Sequence, residues 1–278
     1  MTLVYACIAP HGSETVNSIT PKTLHRRFQE TEQALRILAN NIIRSRPDTI
    51  VIATPHNLRL WKQICVVTSH NSSGELTSEN QKSISLKVKC DIEFSHKLLT
   101  KASKRRLPVV GANYGSADGE TSDMPMDWGS LIPLWFILSK KCGKPRISIV
   151  TPSREIPLLQ NVKFGRTIAD VAENDQSKKY AFIASADQAH AHKKSGPYGF
   201  SKAAAEYDAI VLKALQENNL KKLLQLKSKF VDEAKPDSLW QLAMLAGILE
   251  RVKMKSHLYS YQAPTYYGMI CADYTRFS

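Results

Sequence analysis

Three histidines follow apolar segments, at positions where their side chains could act together. His11 follows the segment YACIAP, His56 follows IVIATP, and His190 follows YAFIASADQA. Imidazole is a frequent metal ligand and is also the side chain whose protonation changes near neutral pH. One such histidine is ordinarily a satisfied polar residue at the end of a strand. Three at the strand ends of one sheet would bring their rings to one edge, which indicates metal binding or acid–base chemistry.

The elements that must position these rings alternate between apolar segments rich in Val and Ile and segments with helical spacing, which is typical of an α/β fold. The predicted strands are Leu3–Ala9, Thr49–Ala53, Ile64–Thr68, Ile84–Val88, Val109–Gly111, Ile147–Thr151, Tyr180–Ser185, His257–Tyr261 and Tyr267–Ala272. The predicted helices are Thr23–Arg46, Ile92–Lys104, Gly129–Lys141, Lys202–Glu217, Leu220–Lys229 and Leu239–Lys253.

We expect one α/β domain over residues 1–278, with a central mixed sheet flanked by helices. Two polar segments, Ser69–Ser83 and Asn113–Pro125, are predicted loops at its rim. Sites in open α/β sheets form at the carboxyl ends of the strands, so the site is expected there.

Composition is that of a soluble globular protein, with 43% hydrophobic and 23% charged residues. The five cysteines (Cys7, Cys65, Cys90, Cys142 and Cys271) are far apart and contain no CxxC spacing, so we predict free thiols in a reducing compartment. The first ten residues lack a basic segment followed by a full apolar one, and no segment approaches the ~18 apolar residues of a spanning helix. We therefore expect a cytoplasmic protein without a membrane partner.

The formal net charge of +13 invites a nucleic-acid partner. However, the basic residues lie in small scattered groups, and no recognition motif accompanies them. Solvated helix faces account for such groups, so we expect no nucleic-acid partner.

Seven segments, taken in order, carry a resemblance to a known family. They are PHGSE, TPHN, MDWGSLIPLWF, ASADQAHAHKKSGPYGF, AEYDAIVLKAL, SLWQLAMLAGIL and YSYQAPTYYGMICADY. Each is short, but their order and spacing resemble the catalytic subunit of class III extradiol dioxygenases, the superfamily of protocatechuate 4,5-dioxygenase and aminophenol dioxygenase. The chain is also similar to the MEMO-like branch. The similarity runs from residue 3 to about residue 274.

The resemblance implies a non-haem Fe(II) enzyme that opens catechol-type or aminophenol-type rings with O₂. In that family two histidines and one carboxylate hold the metal, the facial triad of Fe(II) oxygenases. Carried over, His11 and His56 are the imidazole ligands and His190 is the acid/base beside the substrate. His192 is interpreted as a surface residue. Family members work as homo-oligomers or as pairs of related chains, and we expect one of these arrangements.

Two positions depart from the family pattern. The ligand glutamate of the family aligns with Ser238, which is a poor Fe(II) ligand. The alternatives are Asp237, Glu233 or no carboxylate at all. We expect Asp237 to be the third ligand, although it could equally cap the following helix. Trp128 stands where protocatechuate-type members have a histidine, so it either lines the pocket or packs behind it. The irregular carboxylate also favours an alternative function, a MEMO-like protein that binds a metal or a partner without cleaving rings.

Overall fold

A computed structural model describes residues 2–139 and 145–277 of the protein. The strands of the described residues are β1 Leu3–Ala9, β2 Thr49–Ala53, β3 Ile64–Val67, β4 Asn71–Thr77, β5 Ser83–Lys89, β6 Val109–Ala112, β7 Asp123–Pro125, β8 Arg146–Thr151, β9 Tyr180–Ser185, β10 Met254–Gln262 and β11 Met269–Arg276. The α-helices are α1 Lys22–His25, α2 Gln29–Ser45, α3 Ile92–Lys104, α4 Trp128–Leu138, α5 Leu158–Asn174, α6 Lys202–Gln216, α7 Ser228–Ala234 and α8 Leu239–Arg251. Short 3-10 helices span Ser13–Thr15, Arg26–Phe28 and Leu220–Gln225.

The described residues build an eight-stranded mixed sheet in the order β10-β11-β1-β9-β2-β8-β3-β6. The four central strands, β1, β9, β2 and β8, run parallel, so their carboxyl ends share one edge. Strand β11 pairs antiparallel with β1, β10 pairs antiparallel with β11, and β3 is antiparallel to β8. A separate three-stranded sheet has the order β5-β4-β7. The predicted α/β architecture with a mixed central sheet is confirmed.

Helices cover both faces of the large sheet, which explains why its central strands are apolar throughout rather than alternating. Val51 and Ala53 of β2 pack on the face covered by α3, α5, α6 and α8. Ile50 and Ile52 point to the other face, where α2 and α4 lie. All five residues of β2 are buried. The carboxyl ends of these strands are therefore held by core packing on two sides.

Helices α5 and α8 approach each other closely because each carries a glycine at the crossing. A Cβ added to Gly165 would lie 1.9 Å from the backbone oxygen of Met244, and one added to Gly247 would lie 2.0 Å from that of Val162. No side chain can occupy either position without moving a helix. This contact fixes the height of α8 on the sheet, and the turn before α8 carries Asp237.

The nine predicted strands are present, with ends shifted by up to four residues. Two predicted loops are wrong in part, because Ser69–Ser83 contains β4 and Asn113–Pro125 ends in β7. Both segments are polar, yet β4 pairs with β5 on one side and with β7 on the other, and these backbone hydrogen bonds stabilise it without an apolar face.

The helix predictions need three corrections. Helix α5 was not expected, because Gly165 interrupts its apolar pattern where it crosses α8. The predicted helix Leu220–Lys229 is a 3-10 helix followed by α7, with the chain extended between them at Leu226 and Lys227. The predicted helix Thr23–Arg46 is divided by the 3-10 helix into α1 and α2.

The end of the predicted helix Gly129–Lys141 lies outside the described residues beyond Ser139, as does Cys142. The other four cysteines are buried free thiols, as predicted. Among the helices of the described residues, none is long and apolar enough to cross a membrane.

Candidate metal centre

The carboxyl ends of the four parallel strands deliver the polar residues of one site. His11 lies two residues beyond β1, His56 three beyond β2, Asp187 two beyond β9, and Arg154 three beyond β8. The two histidines follow strands that are not neighbours, because β9 lies between β1 and β2. The end of β9 therefore lies between the two strand ends that carry the imidazoles.

His11, His56 and Asp237 converge so closely that their ligating atoms form a small triangle. Nε2 of His11 lies 3.1 Å from Nε2 of His56. Oδ2 of Asp237 lies 3.3 Å from the first nitrogen and 3.0 Å from the second. Within the described part of the chain, these residues make up the group of ligands that could hold one metal ion.

The size of this triangle fits a shared metal ion. Ligands at right angles on bonds of about 2.1 Å are about 3.0 Å apart, and at tetrahedral angles about 3.4 Å apart. The three sides fall in this interval. In addition, Oδ2 of Asp237 is buried and has no hydrogen bond of acceptable geometry within the described residues. A buried carboxylate oxygen without such a partner is costly, and a cation bound by all three residues would satisfy it.

Ser185, the last residue of β9, orients the ring of His11. Its Oγ lies 2.9 Å from Nδ1 of His11 and donates to the backbone oxygen of Gly129 at 2.5 Å. That carbonyl is in the first turn of α4, where its helical partner four residues later is Pro133, which has no N–H. The Ser185 hydroxyl takes the place of the missing donor. Since its single hydrogen is used there, it can only accept from His11, so Nδ1 carries the proton and the lone pair of Nε2 faces the triangle.

His56 is held from two sides by the turn that starts α4. Its ring stacks on Trp128 with centroids 4.1 Å apart and planes at 27°. Asp127 caps α4 by accepting from the backbone N–H of Ser130, and it also accepts from Thr54, beside the His56 segment. A Cβ on Gly129 would lie 3.3 Å from the His56 ring. Trp128 therefore packs directly against a candidate ligand, and it also lines the neighbouring cavities.

Asp237 is free to face the histidines because it does not cap the helix that follows. Ser238 is the N-cap residue of α8, and its hydroxyl is bonded to Tyr207 at 2.9 Å. The second carboxylate oxygen of Asp237 accepts from Arg154. The alternative candidate, Glu233, is exposed on α7 and lies outside the group.

The charge state of Asp237 suits a metal ligand. Burial raises the pKa of this carboxyl, but the imidazoles of His11 and His56 outweigh burial and hold it well below its ordinary range. For His11, burial lowers the pKa, whereas Asp187 and Asp237 outweigh burial and raise it. A cation must therefore displace a proton that the carboxylates favour on His11, and its affinity should weaken as pH falls.

His190 lies beside the triangle without belonging to it. Its Nδ1 donates to the backbone oxygen of Gln188 at 2.9 Å, which leaves Nε2 as the basic nitrogen. Burial lowers the pKa of His190 below its ordinary value, so the ring is neutral at neutral pH. Its ring stacks on that of Tyr267 at 5.5 Å. It is thus a half-buried neutral base.

The interpretation of His192 as a surface residue is wrong. Its Nε2 lies 2.8 Å from Oδ2 of Asp208, whose side chain is fully buried. Asp208 also accepts from the backbone N–H of Ala189 and from the hydroxyl of Tyr261. These bonds anchor the segment that carries His190, so His192 has a structural role.

Two cavities meet at the triangle. The larger, about 690 Å³, is lined by Asp237, Arg154, Arg59 and Lys235 among others. The smaller, about 350 Å³, is lined by His11, Asp187, Glu14, Tyr266 and Tyr267 among others. Both are lined by the same four side chains, His56, Trp128, His190 and Tyr198. A small ring bound between these four would lie next to the candidate metal ligands.

Several residues of the site were not singled out from the sequence. Asp187 accepts from the backbone N–H of His11 at 3.0 Å, and burial raises its pKa. Asp187 and Ser185 both lie at the end of a predicted strand, a signal that could have found them. Arg154 carries the same signal, because it follows a predicted strand by three residues. The role of Pro133 carries no such local signal, because it depends on which elements the fold brings together.

Two imidazoles and a carboxylate at the carboxyl edge of the parallel central strands define the class as an α/β protein with a candidate metal centre. Residues 5–270 match the family model for the catalytic LigB subunit of aromatic ring-opening dioxygenase. The chain belongs to that family.

The chain is also similar to one curated protein and to one solved structure. Protein CA_C1420 of Clostridium acetobutylicum is 25% identical over 237 residues, which are 85% of this chain and 50% of that protein. The chain therefore spans about half the length of this relative. The crystal structure of the uncharacterized protein JW3007 from Escherichia coli K12 matches with a TM-score of 0.62 over 97% of this chain and 99% of that one, at 13% identity. That likeness shows the fold.

Proposed function

We propose that this protein is an Fe(II)-dependent extradiol dioxygenase that opens a catechol-type or aminophenol-type ring with O₂. The observation that carries the proposal is the triangle of Nε2 of His11, Nε2 of His56 and Oδ2 of Asp237 at the junction of two cavities. Two imidazoles and one carboxylate with open positions are the ligand set of non-haem Fe(II) oxygenases. Family membership supports the same chemistry.

When bound, Fe(II) would supply the electronic link between an electron-rich ring and triplet O₂. The ligand set contributes a single negative charge, from Asp237, so the centre keeps a net positive charge that suits an anionic, chelating ring. Asp237 is in turn held by Arg154, and His11 by Ser185. These contacts fix the ligand atoms in place before the substrate enters.

The protein's own acid–base group is His190. With Nδ1 bonded to the backbone of Gln188, its neutral Nε2 can take the proton of the second ring hydroxyl or amino group and return one as the ring opens. Trp128 and Tyr198 flank the shared part of the cavities, where they would pack on a planar ring and exclude water from it. The product of cleavage beside the two heteroatoms is a muconic semialdehyde or its amino analogue.

The sequence feature that favours the alternative, a MEMO-like binding protein, is the irregular carboxylate position. Asp237 supplies a buried carboxylate next to the aligned position, and the neutral His190 is a group that binding alone does not require. The proposed partners are therefore a small aromatic substrate and O₂, in a chain that we expect to act as a homo-oligomer or with a related subunit.

The proposal is tested by O₂ uptake of protein loaded anaerobically with Fe(II), with a panel of catechols and aminophenols. We expect uptake with at least one ring, together with a coloured ring-opened product, and none from protein loaded with Zn²⁺. Iron binding without uptake across the panel would favour the binding role instead.

A further inference from the structure

The smaller cavity has a charge opposite to that of the protein as a whole. The chain carries 38 Lys and Arg against 25 Asp and Glu. Yet the described residues that line this cavity include the two carboxylates Glu14 and Asp187 and no lysine or arginine. The larger cavity, in contrast, has three basic residues, Arg59, Arg154 and Lys235, which balance the acidic residues Glu155, Asp232 and Asp237 in its lining. The smaller cavity is therefore an acidic surface beside the site in a chain whose net charge is positive, and it would favour a cationic group on a ligand.

Aromatic rings form most of the remaining wall of the smaller cavity. Tyr266 and Tyr267 lie with ring centroids 4.9 Å apart, and Tyr198 lies 6.3 Å from Tyr266. Trp128 closes another side next to His56. The faces of such rings carry partial negative charge and attract organic cations.

Glu14 is placed to add a full negative charge to this wall. Its Oε2 accepts from the hydroxyl of Tyr267 at 2.7 Å, which ties the carboxylate to the aromatic wall. The ion pairs found among the described residues do not include Glu14. Asp187, the other carboxylate, is occupied by His11. Glu14 is therefore the acceptor that remains for a ligand.

We infer that the smaller cavity binds a protonated amine on the substrate, which makes the preferred ring a catechol or aminophenol with a short aminoalkyl substituent. The inference rests on the proposed function for the ring, but the amine site itself does not need the metal. The ring lies among the four side chains shared by the two cavities. The ammonium group lies between the faces of the tyrosines and forms an ion pair with Glu14. A carboxylate substituent is repelled from the same place.

The first test separates the amine site from the chemistry. Binding of phenylethylammonium, which has no ring hydroxyls, is measured by calorimetry on metal-free protein and compared with its neutral alcohol analogue. We expect the ammonium to bind at least about tenfold more tightly, because hydrogen bonds to charged groups are stronger than those between neutral groups. Glu14→Gln, which still can accept from Tyr267, should remove most of that preference and leave the alcohol unchanged.

Two further variants sharpen the result. Tyr198→Leu removes an exposed aromatic face and should weaken ammonium binding about two- to fivefold. Glu206→Gln makes the same charge change at an exposed position of α6 and should change nothing. Equal affinity for ammonium and alcohol, or equal losses in Glu14→Gln and Glu206→Gln, would overturn the inference.

The second test uses Fe(II)-loaded protein and three catechols that carry an aminoethyl, an ethyl or a carboxyethyl group at the same ring position. We expect kcat/KM to be highest for the aminoethyl compound, and Glu14→Gln to lower only that value by about tenfold. If phenylethylammonium binds as expected but no catechol or aminophenol is cleaved, the amine site stands and the proposed ring cleavage fails. If catechols are cleaved with no preference for the amine, the proposed ring cleavage stands and the amine site fails.

Discussion

The bond from His11 to Ser185 gives a sharp test of how the fold orients the proposed metal ligands. Ser185→Ala removes the acceptor of Nδ1–H of His11 at 2.9 Å and the donor to the Gly129 carbonyl at 2.5 Å. The first loss frees the imidazole to rotate or to change tautomer, so the Nε2 lone pair no longer has to face the triangle. Loss of such a supporting partner lowers metal affinity by about 10- to 100-fold.

The second loss acts on stability rather than on the metal. Pro133 offers no N–H to the Gly129 carbonyl, so Ser185→Ala leaves that buried oxygen without its donor. An unsatisfied buried polar group costs about 1–3 kcal/mol, and we expect the free energy of unfolding of the metal-free protein to fall by that amount.

The matched control is Ser148→Ala. Ser148 is a fully buried serine in β8, on the same sheet, and its hydroxyl is bonded to Ser95 at 3.1 Å. This variant should lose about 0.5–1.5 kcal/mol of stability and no metal affinity. Anaerobic Fe(II) calorimetry and urea denaturation on both variants give the two quantities. Unchanged iron affinity in Ser185→Ala, or an equal loss in Ser148→Ala, would refute the reasoning.

Four further outcomes are expected. His190→Ala should keep its iron but lose about 10²–10⁴-fold in turnover, as measured by stopped-flow kinetics; iron loss from a folded variant would make it a ligand. Because burial lowers the pKa of His190, kcat/KM should rise as pH increases through a midpoint below about 6.5 and then level off. This rise should be absent from the pH profile of His190→Ala. Asp237→Ala should lose most of its iron affinity in titration whereas Glu233→Ala keeps it, and equal affinities would contradict the assigned ligand. Gly165→Ala, which drives a Cβ towards Met244, should lower the melting temperature through overpacking worth about 1–3 kcal/mol, with no change expected if the helices can separate freely.

The central strands could be read from the sequence because the fold buries them on both sides. The bounds of β1, β2 and β9 agree with the prediction at both ends, since a continuous apolar segment between polar residues marks a doubly covered strand. Strand β4 could not be found in this way. Its residues are polar, and its stability comes from pairing with β5 and β7, which no local pattern reveals.

The same division applies to the site. His11, His56 and His190 were found because they follow buried strands. Asp237 stayed one of several alternatives, because its direction depends on Ser238 taking the N-cap position of α8. The sheet order, which places the end of β9 between the two histidines, likewise follows from tertiary packing and not from spacing along the chain.

The most direct test of the central claim is anomalous diffraction at the iron edge from crystals of protein reconstituted anaerobically with Fe(II). We predict one strong peak at bonding distance, roughly 2.0–2.3 Å by analogy with other imidazole and carboxylate sites, from Nε2 of His11, Nε2 of His56 and Oδ2 of Asp237. No peak at this place, or a peak bound by Glu233 or by residues elsewhere, would contradict it.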